Sequence, residues 1–313
     1  MITFFTTPKP FLGHIGVIQR NAIESWKRVH PEAEVILFGD EEGAAEAARD
    51  LQIRHVPDVK RNEHGTKYLS PIFDGAQDLA HHRCLCYINC DIILLSDFRA
   101  AAEQVLALGG RFLMSGQRWD TDVSAPVDFY ATDWEATIRR QALAANHQRP
   151  PQWIDYFAFS RGLYYKNTPS FVIGRPGWDN WLVWYARHSG ARVVDATAVV
   201  QAVHQNHDYS YHPDGAAGVW QGAEAQQNYA LLNGGRCFAT MENATDRLTP
   251  AGLRPNYRHW AVLAKRKAAA LRNAIWFGFL KGTRPIRHRL GLQPRPAHET
   301  PVQGGHGSGR ADV

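Results

Sequence analysis

The first ninety residues alternate between strand-like and helix-like patterns, and this alternation constrains the fold more than any other feature. Apolar β-runs predict strands at Ile2–Thr6, Glu34–Phe38, Ile53–Val56 and Cys84–Asn89, and helical spacing predicts helices at Gly13–Val29, Glu41–Leu51 and Pro71–His81. Strand–helix–strand units predict an α/β fold in which helices flank a mixed, mostly parallel sheet. Ligands of such sheets bind beyond the carboxyl ends of the strands.

Polar residues cluster at three of these predicted strand ends: Thr6–Lys9, Gly39–Asp40 and Asn89–Asp91. The third cluster interrupts the apolar run Tyr87–Leu95. In an extended strand its Asn and Asp would point to the same face. Their oxygens are ligands that Mg²⁺ or Mn²⁺ prefers, so the triplet predicts a metal site. The alternative is an Asx turn at the end of the strand.

Several function classes are disfavoured by what the chain contains. It has neither GxxxxGK[ST] nor, after the first strand, GxGxxG, which argues against a P-loop NTPase and a dinucleotide oxidoreductase. No apolar run approaches the roughly 18 residues of a membrane span, and the chain starts directly with a strand, so we expect no signal peptide. Three of the four cysteines (Cys84, Cys86 and Cys90) share one predicted strand without a CxxC pair, which favours buried free thiols in a reducing cytoplasm over a zinc site.

The charge is unevenly distributed along the chain. Ten Lys and Arg and no acidic residue lie between Arg258 and Arg295. The whole chain has a net charge of +5, so the remaining residues together carry a net charge of −5. Apolar residues at helical spacing predict a basic amphipathic helix within 256–291, which either lies on an anionic membrane or packs on its own domain. The body has no matching basic stripe, so we expect no nucleic acid partner. Residues 292–313 are predicted to be disordered.

Two strands of the second half carry candidate polar groups. A predicted strand at Arg111–Arg118 ends in Gln117 and Arg118, and another is predicted at Trp153–Ser160. Asp155 interrupts the second strand, and a buried carboxylate needs a partner. Either it forms a structural ion pair with Arg118 or Arg161, or it has a functional role.

A Gly/Pro-rich turn precedes a predicted helix that Asp179 opens. As an N-cap this residue would contribute about 1 kcal/mol, and as a carboxylate at the mouth of a site it would serve as a base. The neighbouring Trp178 and Trp181 are either core residues or sugar-stacking platforms.

The last motif follows a predicted strand at Val199–Val203 and contains three His and one Asp within nine residues, from His204 to His212. A self-satisfied hydrogen-bond network is one interpretation. A zinc site is another, although the spacing does not match HExxH. Its candidate ligands are His204, His207, Asp208 and His212.

The first strand with its polar end, and the apolar strand that closes in a DxD-like triplet, resemble the GT-A glycosyltransferases over roughly residues 1–255. The resemblance implies that a sugar is moved, with Mn²⁺ or Mg²⁺, from a nucleotide-diphospho-sugar to the hydroxyl of a glycan, lipid or small molecule. The triplet is Asn-Cys-Asp, so Asp91 would be the main ligand and Asn89 would supply a neutral oxygen.

The resemblance also implies individual roles. A late His of the family ligates the metal, here His204 or His207, and the ends of the first two strands meet the base and ribose. Asp155 would contact the donor sugar and participate in a retaining reaction. Gly-Trp-Asp at 177–179 is similar to the Gly-Trp-x-Glu-Asp region of inverting galactosyltransferases, so Asp179 would take the acceptor proton if configuration inverts. The donor-binding candidates are Thr6, Thr7, Lys9, Asp40, Asn89, Gln117 and Arg118.

Two rival functions are weighed against this one. A sugar-1-phosphate nucleotidyltransferase usually has a GxGxR loop after the first strand, which Thr7-Pro8-Lys9-Pro10 does not provide. A non-catalytic protein that binds carbohydrate or a membrane surface is the other. We expect a bacterial cytoplasmic protein, at the inner membrane surface if the basic helix binds lipid.

Overall fold

A computed structural model of the chain describes residues 1–208, 214–257 and Arg272. The predicted basic helix and the predicted disordered segment therefore lie almost entirely outside the described residues, as does His212. The chain divides into two compact units, and the first, Met1–His259, holds every described residue except Arg272. Among the described residues, no helix combines the length and the apolar character that crossing a membrane requires.

Strands and helices alternate along most of the first unit. The strands are β1 Ile2–Thr6, β2 Glu34–Phe38, β3 Arg54–Val56, β4 Cys84–Ile88, β5 Ile92–Ile93, β6 Phe112–Ser115, β7 Arg118–Thr121, β8 Tyr156–Ser160, β9 Arg192–Asp195, β10 Ala202–Gln205, β11 Asp246–Thr249 and β12 Gly252–Pro255. The helices are α1 Gly13–Val29, α2 Ala44–Asp50, α3 Leu69–Leu79, α4 Ser96–Ala107, α5 Trp134–Ala145, α6 Trp178–His188, α7 Gly215–Gln221 and α8 Ala223–Leu231, with a 3₁₀ turn at Met241–Asn243.

Nine strands form one sheet in the order β12-β11-β9-β6-β8-β4-β1-β2-β3. Most neighbours are parallel, but β8 runs antiparallel to both β4 and β6, and β12 runs antiparallel to β11. The predicted α/β fold with a mixed, mostly parallel sheet flanked by helices is confirmed.

The alternation of side chains along β1 divides the core into two layers. Phe4 packs on one face with Trp26 of α1, and Phe5 packs on the other with Phe73 of α3. Burial of each such side chain contributes roughly 1.5–3 kcal/mol. Three of the cysteines (Cys84, Cys86 and Cys90) are buried as free thiols, as predicted.

A second, smaller sheet has the order β5-β10-β7. His204 of β10 lies opposite Asp120 of the parallel β7 and opposite Ile92 of the antiparallel β5. The indole nitrogen of Trp26 donates to the carbonyl of Ile92 at 2.8 Å, which attaches this sheet to α1. The small sheet thus brings the residue that precedes Ile92, Asp91, close to His204.

Three predicted strands of the second half are shifted or divided. The strand predicted at 111–118 is two strands in different sheets, and Arg118 begins β7 instead of ending β6. Gly116 lies between them, where a side chain would come within 2.7 Å of the Tyr156 hydroxyl and 3.0 Å of the Thr197 nitrogen, so the close packing there requires glycine. The strand predicted at 153–160 starts at Tyr156, and that predicted at 199–203 spans Ala202–Gln205.

Two local expectations about candidate site residues are also wrong. The strand before the Asn-Cys-Asp triplet ends at Ile88, and Ile92 N donates to Asn89 O at 3.2 Å, so the triplet forms a turn and not an extended face. Asp179 is not the N-cap of α6. The cap is Gly177 at φ +101°, and its N–H donates to Asp179 Oδ1 at 3.2 Å.

Candidate active site

Asp91, His204 and His207 bring one potential metal ligand each to within 4.8 Å of one another. Asp91 Oδ2 lies 3.2 Å from His207 Nε2 and 3.9 Å from His204 Nε2. The ammonium of Lys9 lies 2.8 Å from His207 Nε2 and 3.7 Å from Asp91 Oδ2. The turn after β4, the small sheet and the loop after β10 thus converge on one point.

The hydrogen bonds of His207 leave a lone pair facing Asp91. Its Nδ1 lies 2.7 Å from the carbonyl oxygen of Asp208, which can only accept, so Nδ1 carries the proton in the neutral ring. Nε2 then presents a lone pair toward a carboxylate. Two lone pairs that converge need a cation between them, and in this structure the Lys9 ammonium supplies the positive charge.

The site fits a divalent ion by its donor set and by what it leaves unsatisfied. The Oδ1 atom of Asp91 is buried and has no hydrogen-bond partner among the described residues. Burial opposes the charge on Asp91, but the two imidazoles and the Lys9 ammonium around it hold its pKa well below the usual range. Imidazole nitrogen with carboxylate oxygen suits Mn²⁺, and Mg²⁺ would add water ligands. A network of His204 and His207 satisfied by itself does not leave such an atom.

Asp120 lies behind His204 and was not identified from the sequence. Its Oδ1 is 3.3 Å from His204 Nδ1 and accepts from Arg118 Nε at 2.8 Å, and its Oδ2 accepts from Arg149 Nε at 2.6 Å. Burial disfavours its charge, yet the imidazole and the two guanidiniums hold its pKa below the usual range. The i, i+2 spacing of Arg118 and Asp120 on one strand was the available signal.

Asp155 is buried and engaged on both oxygens. Oδ2 accepts from Arg118 Nη1 at 2.8 Å, and Oδ1 accepts from the side chain of Asn89. The structural pair with Arg118 is therefore present, whereas Arg161 donates to the carbonyl of Ala80. The metal-ligand role of Asn89 and the catalytic role of Asp155 remain predictions.

The pKa of Asp179 is raised, and its role as a general base stays a prediction. Asp179 lies in the first turn of α6, partly exposed, and burial together with the nearby charge of Asp155 raises its pKa to about 7. A base works best when its pKa lies near the working pH. Trp178 and Trp181 beside it are buried, and Trp178 packs on Tyr87 and Phe157, so both belong to the core.

The remaining donor-binding candidates are separated. Thr6 is buried, and Thr7 Oγ1 lies 3.4 Å from the Tyr87 hydroxyl. The side chain of Asp40 is 67% exposed and pairs with Arg61, which lowers its pKa. Gln117 points its amide nitrogen at the carbonyl of Arg149.

A cavity of about 590 Å³ opens beside the cluster. Asp91, His204 and His207 do not line this cavity. Pro8 lines it, and the next residue, Lys9, lies beside the three potential ligands. The volume of the cavity is in the range of small-molecule sites. The lining residues are Pro8, Glu41, Arg61, His64, Gly65, Thr66, Lys67, Ile173, Gly174, Arg175, Asp214, Gly218, Gly222, Ala223 and Glu224.

The charges of this cavity are already paired with one another. Lys67 Nζ lies 2.6 Å from Glu41 and donates to the carbonyl of Pro8 at 3.0 Å. Arg175 pairs with Glu224 at 2.5 Å, and both are nearly buried. None of these four charged residues was singled out as a ligand candidate from the sequence, because isolated charges outside strands and at the start of a helix carry no periodic signal.

Comparisons with known proteins give distant structural matches. No protein-family model matches the chain, and no curated protein matches it in sequence. A mannosyltransferase from Pyrobaculum calidifontis, solved with GDP-Man and Mn²⁺, matches at 17% identity and a TM-score of 0.44 over 67% of this chain and 58% of its own. Glucosyl-3-phosphoglycerate synthase from Mycobacterium tuberculosis, solved with Mn²⁺, UDP and phosphoglyceric acid, matches at 17% identity and a TM-score of 0.44 over 76% and 79%.

A third match is TarS 1–349 of S. aureus, at 8% identity and a TM-score of 0.38 over 66% of this chain and 57% of that one. This chain therefore spans less than two thirds of the mannosyltransferase and of TarS. Identities of 8–17% describe a distant likeness of fold, so the geometry of the site must carry any assignment of function.

Proposed function

We propose that this protein is a metal-assisted glycosyltransferase that moves a sugar from a nucleotide-diphospho-sugar to an acceptor hydroxyl. The observation that carries the proposal is the convergence of Asp91, His204 and His207, with one buried carboxylate oxygen left unsatisfied, at the carboxyl edge of a mostly parallel sheet. Such an edge is where α/β proteins bind nucleotides.

The metal would be Mn²⁺ or Mg²⁺, held by Asp91 and the two imidazoles, with Asn89 of the DxD-like turn as a further candidate. When bound there, it supplies positive charge to the diphosphate leaving group. Lys9 adds an ammonium at the same place, and the cavity beside Pro8 has the volume to receive the nucleoside part of the donor.

Asp179 takes the proton of the acceptor hydroxyl in this proposal. Its pKa of about 7 makes it a competent base near neutral pH. Asp155 is less suited to attack a sugar, because Asn89 and Arg118 occupy its two oxygens. The geometry therefore supports inversion of configuration over retention.

Calorimetric titration with UDP and with GDP, each with and without Mn²⁺, tests the donor site. The proposal expects nucleoside diphosphate binding that depends on the metal. Binding without metal would indicate that Lys9, and not a metal ion, binds the diphosphate. No binding of either nucleotide would favour the non-catalytic carbohydrate or membrane-surface binder.

A screen of nucleotide-sugars then tests the reaction class. We expect release of nucleoside diphosphate from one donor, and loss of this activity in Asp91→Ala and Asp179→Ala. Release of pyrophosphate from a nucleoside triphosphate and a sugar-1-phosphate would identify a nucleotidyltransferase instead.

We further propose that the basic stretch between Arg258 and Arg295 holds a cytoplasmic enzyme at an anionic membrane surface. Ten cations without an acid support this placement. Co-sedimentation of the full chain with anionic liposomes should fall when Lys265, Arg266 and Lys267 are replaced by Glu, and should be absent with neutral liposomes.

A further inference from the structure

Arg118, Asp120 and Asp155 form a buried charged cluster directly behind the candidate metal ligands. Arg118 Nε donates to Asp120 Oδ1 and its Nη1 donates to Asp155 Oδ2, both at 2.8 Å. All three side chains are at least 90% buried. Desolvation of three charges costs about as much as their attraction returns, and apolar residues would pack there as well. Stability alone therefore does not explain the cluster.

Each of the two carboxylates of the cluster, Asp120 and Asp155, contacts a different part of the candidate metal site. Asp120 Oδ1 lies 3.3 Å from His204 Nδ1, which is buried and has no well-aligned hydrogen bond among the described residues. Asp155 holds Asn89 twice, because its Oδ1 accepts from the Asn89 side chain and its carbonyl accepts from Asn89 N at 2.9 Å. Asn89 begins the turn that presents Asp91.

The two parts belong to different sheets. Asn89 follows β4 of the nine-stranded sheet, whereas Asp120 and His204 lie opposite each other in the three-stranded sheet. Arg118 links the turn of Asp91 to the strand of His204 through side chains, beside the backbone contact in which Gln205 N donates to Asp91 O at 3.1 Å. The planar guanidinium of an arginine can hold two carboxylates at a fixed separation, whereas the flexible ammonium of a lysine cannot.

We propose that Asp120 and Arg118 are positioning residues for a divalent cation, an inference that rests on the proposed function. Asp120 receives the Nδ1–H of His204, so that Nε2 keeps its lone pair toward Asp91. Arg118 fixes Asp120 and, through Asp155 and Asn89, the turn of Asp91. Carboxylates behind ligating histidines set their tautomer and orientation in this way, and their loss weakens metal binding about 10- to 100-fold.

The tautomer of His204 in the metal-free wild-type chain is the first test, and a variant serves only to assign its signal. Nitrogen-15 NMR of the ring, recorded with rising pH until a single ring proton remains, should show that proton on Nδ1. The signal is assigned by its absence in His204→Gln. A proton on Nε2 would overturn the inference, since that tautomer cannot bind a cation beside Asp91.

Titration of Mn²⁺ followed by electron paramagnetic resonance is the second test. Asp120→Asn should weaken Mn²⁺ binding about 10- to 100-fold, and Arg118→Lys should weaken it less. The matched control is Asp195→Asn, because Asp195 is also a buried strand-end carboxylate and pairs with Arg247 at 3.4 Å. It should change Mn²⁺ binding by no more than about 2-fold.

The outcomes separate this inference from the proposed function. Equal effects of Asp120→Asn and Asp195→Asn on Mn²⁺ binding would overturn the positioning role. If the wild type binds no Mn²⁺ but shows the Nδ1 proton, and Asp120→Asn moves that proton, the metal part of the proposed function fails while Asp120 still positions His204. If Asp120→Asn weakens Mn²⁺ binding while the wild type transfers no sugar, the positioning role is supported and the proposed transferase function is contradicted.

Discussion

The nine-stranded and three-stranded sheets are built from different kinds of residue. The central strands of the large sheet (β6, β8, β4, β1 and β2) are mostly apolar, and aromatic side chains pack on both of its faces. The small sheet has strands of two to four residues and a core cluster of six buried apolar side chains, among them Ile93 and Val203. It carries His204 and Asp120 and follows Asp91 directly. The large sheet thus supplies most of the buried apolar core, and the neighbouring small sheet carries candidate site residues.

The largest expected effect is on stability, from Phe73→Ala in the large sheet's core. Phe73 packs on Phe5 at 5.1 Å and on Phe159 at 5.7 Å, so truncation should lower the free energy of unfolding by about 3–5 kcal/mol. Chemical denaturation measures the loss. Leu108→Ala, at an exposed site, should cost less than about 0.5 kcal/mol. If the folded Phe73→Ala protein also lost Mn²⁺ binding, the two sheets would not be separable.

Asp91→Asn should act mainly on the metal. We expect Mn²⁺ affinity to fall at least about 100-fold, or about 2.7 kcal/mol, and the unfolding free energy to fall by about 1–3 kcal/mol, because the neutral amide leaves the Lys9 ammonium and the imidazoles without their counter-charge. Calorimetry and denaturation are the measurements. Asp208→Asn is the control, because it changes an exposed neighbour of His207. Unchanged Mn²⁺ binding in Asp91→Asn would place the metal elsewhere.

Asp179→Asn should raise stability while it removes activity. The folded chain holds this proton up to a pKa of about 7 and the unfolded chain only to 3.8. The wild type therefore loses stability as pH rises from about 4 to about 7, and the variant does not. Its advantage should reach on the order of 2 kcal/mol above pH 7 and vanish at about pH 4.

Thermal unfolding at several pH values measures this difference. The exposed Asp58→Asn serves as the control and should show no such trend. A wild-type rate of sugar transfer that falls as pH drops through about 7 should accompany it, because the base must be ionised. An active Asp179→Asn protein would contradict the assignment of the base.

Lys9→Met should give the smallest effect. Removal of an ammonium 3.7 Å from Asp91 Oδ2 takes away a competing positive charge, so Mn²⁺ affinity should rise up to about 10-fold, or about 1.4 kcal/mol. Lys27→Met, on the outer part of α1, is the matched control. A fall in Mn²⁺ affinity would show instead that Lys9 supports the ligands.

Much of the large sheet could be predicted from the sequence. The bounds of β1, α1 and β2 are as predicted, since each is a local pattern of period 2 or 3.6. The small sheet could not, because β5 has two residues and its pairing with β10 joins positions more than a hundred residues apart.

The candidate site was predicted in part for the same reason. Asp91, His204 and His207 stand out in sequence as polar residues beside apolar runs, and the structure brings them together. The i, i+2 spacing with Arg118 was the available local signal for Asp120, but its contacts with His204 and Arg149 join positions distant in sequence, which no local pattern indicates. The alternation rule misplaced Asn89 because the strand stops one residue before it.

The reversed direction of β8 determines which connection of the chain lies beside the candidate site. Its register pairs Ile88 with Tyr156, so the residue that enters the strand, Asp155, meets the residue that leaves β4. The connection that precedes Asp155 therefore leads directly into the candidate site. It also supports that site, because Arg149 in this connection donates to Asp120 Oδ2 at 2.6 Å, so a change in its length would move the carboxylate behind His204.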